Sequence, residues 1–175
     1  MRQTLLIVLG LTVLYGVTLA LAAPTPILLP FAVLMAAPLV WASATDIDRL
    51  VIPNWINVSF AAGGIAFCIG FDLPIQPRVG AALSIYLVFW GIAAGYLWLR
   101  QRHGLGMGDA KLVAAGAIWV GPIGLPSSVL IGALTGIVAV LTLRLTTGRA
   151  MDAWLPFGPF LGYGLFVVWL FGPVI

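Results

Sequence analysis

The chain has 175 residues, of which 62% are hydrophobic and only 7% are charged, with eight basic and five acidic side chains and a formal net charge of +3. A soluble domain carries about 25% charged residues. This composition therefore excludes a water-soluble globular enzyme, and its hydrophobicity excludes disorder. What remains is an integral membrane protein, an all-α bundle of transmembrane helices with lipid as its main solvent.

The apolar runs divide the chain into about seven crossings, one of them short. Residues 4–23 form the first and 27–45 the second, which the polar stretch Asp46-Ile47-Asp48-Arg49 closes. Residues 55–71 form the third, ended by Asp72, Pro74 and Pro77. Residues 79–99 form the fourth, and a Gly-rich polar loop follows to Gly108. Residues 109–120 form the short fifth, closed by Gly121-Pro122. Residues 127–145 and 155–175 complete the set. A helix needs about 20 residues to cross about 30 Å of hydrocarbon, so the short run is expected to begin below the membrane surface, facing protein or water.

At the N-terminus, Arg2, an apolar stretch and Ala20-Leu21-Ala22 have the layout of a signal peptide. The apolar stretch is longer than the usual signal core, which favours an uncleaved anchor.

Basic residues orient the bundle. With Arg2 in the cytoplasm, Arg49, Arg100, Arg102, Lys111, Arg144 and Arg149 also fall on that side, and only Arg78 falls outside. This is a strong positive-inside bias, and it supports counting residues 109–120 as a full crossing, since otherwise Arg144 and Arg149 would lie outside. It also accounts for the net positive charge, so nucleic-acid binding is not implied. The glycine pairs Gly91/Gly95, Gly132/Gly136 and Gly158/Gly162 recur at four-residue spacing. They are expected to pack helices within the bundle, with homodimerisation as the alternative. Nothing in the sequence sets an oligomeric state.

The chain has one His (His103), one Cys (Cys68) and no Glu. A Cys/His zinc site needs three or four ligands, so no metal or other cofactor is expected. His103 reads as a solvated loop residue, and Asp72 as a solvated loop end on the outer side. An ionisable residue in or beside a span is a functional candidate by default. Asp46 closes the second run and Asp109 opens the fifth, so both lie at the same cytoplasmic level. Two carboxylates at short range do not both ionise readily, and such a pair holds one proton near neutral pH. Its charged member can activate a water, and its protonated member can polarise a peptide carbonyl. Asp109 ends Gly106-Met107-Gly108-Asp109, where it also reads as a helix N-cap with glycines supplying the turn. The same glycines allow close backbone approach, so Gly106 and Gly108 are candidate substrate-binding positions. Asp46 and Asp48 are two apart and cannot share a helix face. Only one of them joins the pair, and the spacing does not choose. The other is expected to be an exposed charge beside Arg49. Lys111, two past Asp109, is expected to point elsewhere, towards lipid phosphates.

Three elements occur in order: Asp46-Ile47-Asp48-Arg49-Leu50-Val51-Ile52-Pro53-Asn54, Gly106-Met107-Gly108-Asp109-Ala110-Lys111-Leu112 and Leu155-Pro156-Phe157-Gly158-Pro159-Phe160. Together, from about Val40 onward, they resemble the type IV prepilin peptidase family, membrane aspartic proteases of the Gly-x-Gly-Asp class. In that family the first catalytic Asp stands seven residues before the Pro of Ile-Pro-Asn, which maps to Asp46, and the second maps to Asp109. The resemblance implies an endopeptidase that cleaves the basic leader from a prepilin-like precursor at the cytoplasmic membrane face. On this view residues 1–175 are one domain, with 1–26 an added anchor span and 40–175 the peptidase core. The cysteine pairs that accompany methyltransferase activity in long members are missing, so the resemblance is to the short form, without zinc. Presenilin and signal peptide peptidase match less well, since Thr45 precedes Asp46 where they carry Tyr. The competing readings are a cation transporter or channel using the two Asp residues, and a catalytically silent assembly subunit.

Overall fold

The computed structural model describes residues 2–100, 106–147 and 156–174. Arg102, His103, Arg149 and Asp152 lie outside the described residues. The elements are α1 (Arg2–Ala22), a 3-10 turn at Pro26–Leu28, α2 (Leu29–Arg49), α3 (Asn54–Gly70), α4 (Ile75–Arg100), α5 (Met107–Thr147) and α6 (Gly158–Phe171). An all-α bundle is observed. It also wears an apolar coat: Leu6, Leu21, Val58, Trp98 and Leu145 are among many large side chains turned outward. Helices suit a lipid setting because hydrocarbon offers the backbone no hydrogen-bond partners. The protein is a multi-pass membrane protein.

The fifth and sixth apolar runs form two helical segments of α5, joined without an intervening loop. The element is broken at Gly121, whose φ of 74° and ψ of 176° are not helical. Pro122 follows, and with no N–H it cannot continue the ladder. The chain reverses direction here. Going up residues 107–120, Gly108 shares Ile52 as a neighbour with Gly158, and Gly116 lies against Leu165. Coming back along residues 122–147, Gly124 lies by Val168, Gly132 by Leu161 and Gly136 by Phe157. Among the described residues the expected crossings therefore correspond to six α-helices, of which α5 is a tight helical hairpin that supplies two.

Arg78 holds this reversal together. Its Nη1 donates to the carbonyls of Ile118, at 2.9 Å, and Trp119, at 2.8 Å. These are among the acceptors that a helix end leaves unsatisfied, and a cation at a helix C-terminus is favoured by the dipole. The one basic residue expected outside is thus a helix cap.

Trp119 sets the register between α3 and α5. It stacks on Phe60 and Phe67, with ring centroids 5.7 and 5.6 Å away, and its Nε1 donates to the Phe60 carbonyl at 2.8 Å. The indole fits because Gly63 and Gly64 lack side chains, since a Cβ at either would lie 2.9 or 3.0 Å from it. α6 packs just as closely, and a Cβ on Gly164 would collide with the Ser128 carbonyl. Tyr15 of α1 is buried against Tyr163 and Phe166 of α6.

The glycine pairs separate into two groups. Gly132/Gly136 and Gly158/Gly162 pack within the bundle as expected. A Cβ added to Gly91 or Gly95, by contrast, would meet nothing within 4 Å. Their helix, α4, is mostly exposed, so the expected packing role does not hold for that pair. The reason is that small-residue spacing marks a flat helix face without saying what lies against it.

Candidate active site

Asp46 sits in the last turn of α2. That helix ends with Leu50 in the left-handed region (φ 55°, ψ 34°), whose N–H returns to the Asp46 carbonyl at 2.8 Å. Pro53 then starts α3 from an extended conformation. The turn swings the chain away and leaves the Asp46 side chain inside, 6% exposed. Its Oδ2 accepts the backbone N–H of Gly158, the first residue of α6, at 2.9 Å. A carboxylate from one helix thereby caps the start of another, satisfying an orphan donor where the dipole is positive.

Asp109 is the third residue of α5, not its N-cap. The helix starts at Met107, and the Gly106 carbonyl accepts the N–H groups of Asp109 at 3.1 Å and Ala110 at 3.3 Å. The Asp109 carboxyl folds back over Gly106, whose missing Cβ would lie 3.0 Å from Oδ2. The other oxygen, Oδ1, is buried and has no hydrogen-bond partner. Asp46 is near enough for its charge to act on Asp109.

Asp48, by contrast, is exposed and pairs with exposed Arg49 at 3.5 Å, the kind of surface contact worth little. The two aspartates left open by spacing are therefore distinguished by burial. Gly106 is exposed beside Asp109. Gly108 is half-buried, and a Cβ there would lie 3.1 Å from Ile52 Cβ. Lys111 Nζ donates to Asn54 Oδ1 at 2.8 Å. That bond ties the Ile-Pro-Asn element to the first turn of α5. Asp72 is an exposed loop end, as expected. Among the described residues no group of three or more His, Cys, Asp or Glu side chains gathers in one place. Cys68 is buried far from the pair, its thiol 3.6 Å from the Ile118 carbonyl.

Sequence reasoning misses Gly158 as a site residue. It is visible there as a packing glycine and as part of the third family element, with no role at Asp46 given to it, although Gly-Pro at the opening of a helix is the pattern that exposes a free N–H.

This arrangement joins the described parts of the three sequence elements at one end of the bundle, through Asp46, Ile52, Gly108 and Gly158. A model of the type IV leader peptidase family matches residues 33–141. The chain belongs to this family. Similar relatives are named prepilin leader peptidase/N-methyltransferase. The protein of Aeromonas salmonicida is 30% identical over 82% of this chain and 50% of its own length. That of Neisseria gonorrhoeae is 31% identical over 73% and 44%, and that of Dickeya chrysanthemi 34% over 68% and 42%. The chain thus spans about half the length of the curated relatives it matches. No solved structure matches it.

Proposed function

We propose that this member of the family is a membrane aspartic endopeptidase that removes the leader from a prepilin-like precursor, with Asp46 and Asp109 as its catalytic pair. The observation that supports the reading is the convergence of Asp46 and Asp109 within electrostatic reach of each other. Two carboxyls from sequence positions 63 residues apart by number interact at one end of a membrane bundle, and one oxygen is left without a partner. Asp46, which accepts an N–H at a helix start, is suited to carry the charge and take a proton from water. Asp109, with Oδ1 unpaired, is suited to carry the proton and donate it to the peptide carbonyl. The hydroxide formed adds to the carbonyl carbon. As the gem-diol collapses, the C–N bond breaks, the leaving nitrogen takes the proton held by Asp46, and a gem-diol hydroxyl returns its proton to Asp109 as it becomes the product carboxyl, so the pair again holds one proton. Peptide hydrolysis by this route consumes only water.

The positive-inside pattern supports a cytoplasmic location for this end in an inner membrane. Arg49, Lys111 and Arg144 belong to helix ends on the pair's side of the bundle, while Arg78 lies at the other. The precursor's leader would enter beside Gly106.

The test is cleavage of a pilin precursor in membranes. Asp46→Asn and Asp109→Asn are each expected to lower the rate by about 10²- to 10⁴-fold while the protein still inserts and folds. Normal cleavage by either variant contradicts the assignment. Cation flux in proteoliposomes without proteolysis would favour the transporter reading instead.

A further inference from the structure

The turn joining α2 to α3 spans residues 50–53 and is conformationally costly. Leu50 adopts a left-handed backbone that residues with a Cβ disfavour. Its neighbours diverge: Val51 is exposed, while Ile52 is only 5% exposed and belongs to the core. Ile52 lies between the two helix starts that serve the aspartates. A Cβ on Gly108 would lie 3.1 Å from Ile52 Cβ, and a Cβ on Gly158 would lie 3.2 Å from Ile52 Cδ1. Both glycine backbones therefore rest directly on this one side chain. Gly108 immediately precedes Asp109, and Gly158 supplies the N–H that holds Asp46. The turn is also pinned on its far side, where Asn54 accepts from Lys111.

We propose that Ile52 is a positioning residue, the spacer that sets the separation of the Asp46 and Asp109 carboxyls by holding the starts of α5 and α6 apart. This rests on the peptidase reading above. Ile52 touches no reacting atom. It acts through Gly108 and Gly158, and so through the geometry of the pair. Paired-carboxyl catalysis depends on that geometry closely, because a misplacement of about 1 Å can cost about a hundredfold in rate. The two proton-loss steps of the pair also belong to the pair and depend on its spacing. Among the described residues, the other charged groups near this turn are Lys111, bonded to Asn54, and the exposed Asp48 and Arg49.

The experiment uses the full chain in membranes with a pilin precursor, measuring kcat and KM across a pH series. Three variants are compared. Ile52→Val removes the Cδ1 that rests on Gly158, Ile52→Leu keeps the volume but moves the branch, and Ile52→Ala removes most of the spacer. Each is read beside its thermal unfolding midpoint. Ile52→Val is expected to lower kcat about tenfold with KM nearly unchanged, and to move at least one limb of the pH profile by about half a unit. Ile52→Leu is expected to move a limb as well, despite its equal volume. If Val and Leu lower only the unfolding midpoint, or only raise KM, with kcat and both limbs unchanged, Ile52 is a packing residue and the proposal is overturned. The two conservative variants carry the test if Ile52→Ala does not fold. Asp46→Asn and Asp109→Asn run alongside: if either still cleaves, the catalytic pairing fails, whereas inactive aspartate variants with unmoved Ile52 limbs reject the spacer alone.

Discussion

The two ends of residues 107–120 treat their polar groups in opposite ways. At the far end the chain breaks at Gly121, and the carbonyls of Ile118 and Trp119 both accept from Arg78. The break leaves a demand and a single guanidinium meets it. At the near end Asp109 enters the helix with Oδ1 buried and unpaired, within electrostatic reach of a second carboxyl. About 18 Å of helix separates the two. An unpaired buried polar atom costs roughly 1–3 kcal/mol, so a fold that closes one end so fully has a reason to leave the other open. On the proposed peptidase reading that reason is chemistry: a carboxyl that exchanges a proton with substrate cannot have all its oxygens committed to the protein.

Breaking the near end should have the larger consequence. Gly158→Ala places a methyl 2.9 Å from Asp46 Oδ2 and displaces the carboxylate from its N–H. Cleavage should fall by about a hundredfold, with KM changing less than kcat. An unchanged rate would mean that the Gly158 contact does not position Asp46.

At the far end, Arg78→Gln removes the charge and most of the donor geometry from two carbonyls. It should destabilise the bundle by about 2 kcal/mol, read as a lower unfolding temperature in detergent, while cleavage per folded molecule stays near that of the parent. A catalytic defect without loss of stability would erase the distinction between the two ends.

The smallest effect belongs to the outward face. Gly91→Ala meets nothing within 4 Å and should change stability by less than about 0.5 kcal/mol. A large change in unfolding temperature would show that α4 is covered by another chain.

These contrasts also explain what can be read from the sequence. The helices follow from apolar run length, because hydrocarbon permits little else. The reversal is visible in Gly121-Pro122, which supplies a positive φ and a missing donor. Asp46 and Asp109 stand out because charges are scarce in such a chain. Contacts made by backbone are hidden. The Gly158 N–H has no side chain to announce it, and Gly91 resembles Gly158 in spacing although one faces outward and the other holds a carboxylate. Lys111 is hard to read for a related reason, since its partner Asn54 lies on another helix and nothing local in the sequence marks the bond. The Gly-x-Gly-Asp pattern suggests an N-cap at Asp109, but the glycines before it place it further in, where its carboxyl can turn back over Gly106.

The central claim is that burial and pairing, and not acidity alone, select the working carboxyl. Asp46 and Asp48 offer the direct comparison, with one residue between them in the last turn of α2. Precursor cleavage should be measured for Asp46→Asn and Asp48→Asn at equal amounts of folded protein. The account predicts that Asp46→Asn loses cleavage by about 10²- to 10⁴-fold and that Asp48→Asn cleaves as the parent does. Equal losses in the two variants, or a greater loss at Asp48, would contradict it.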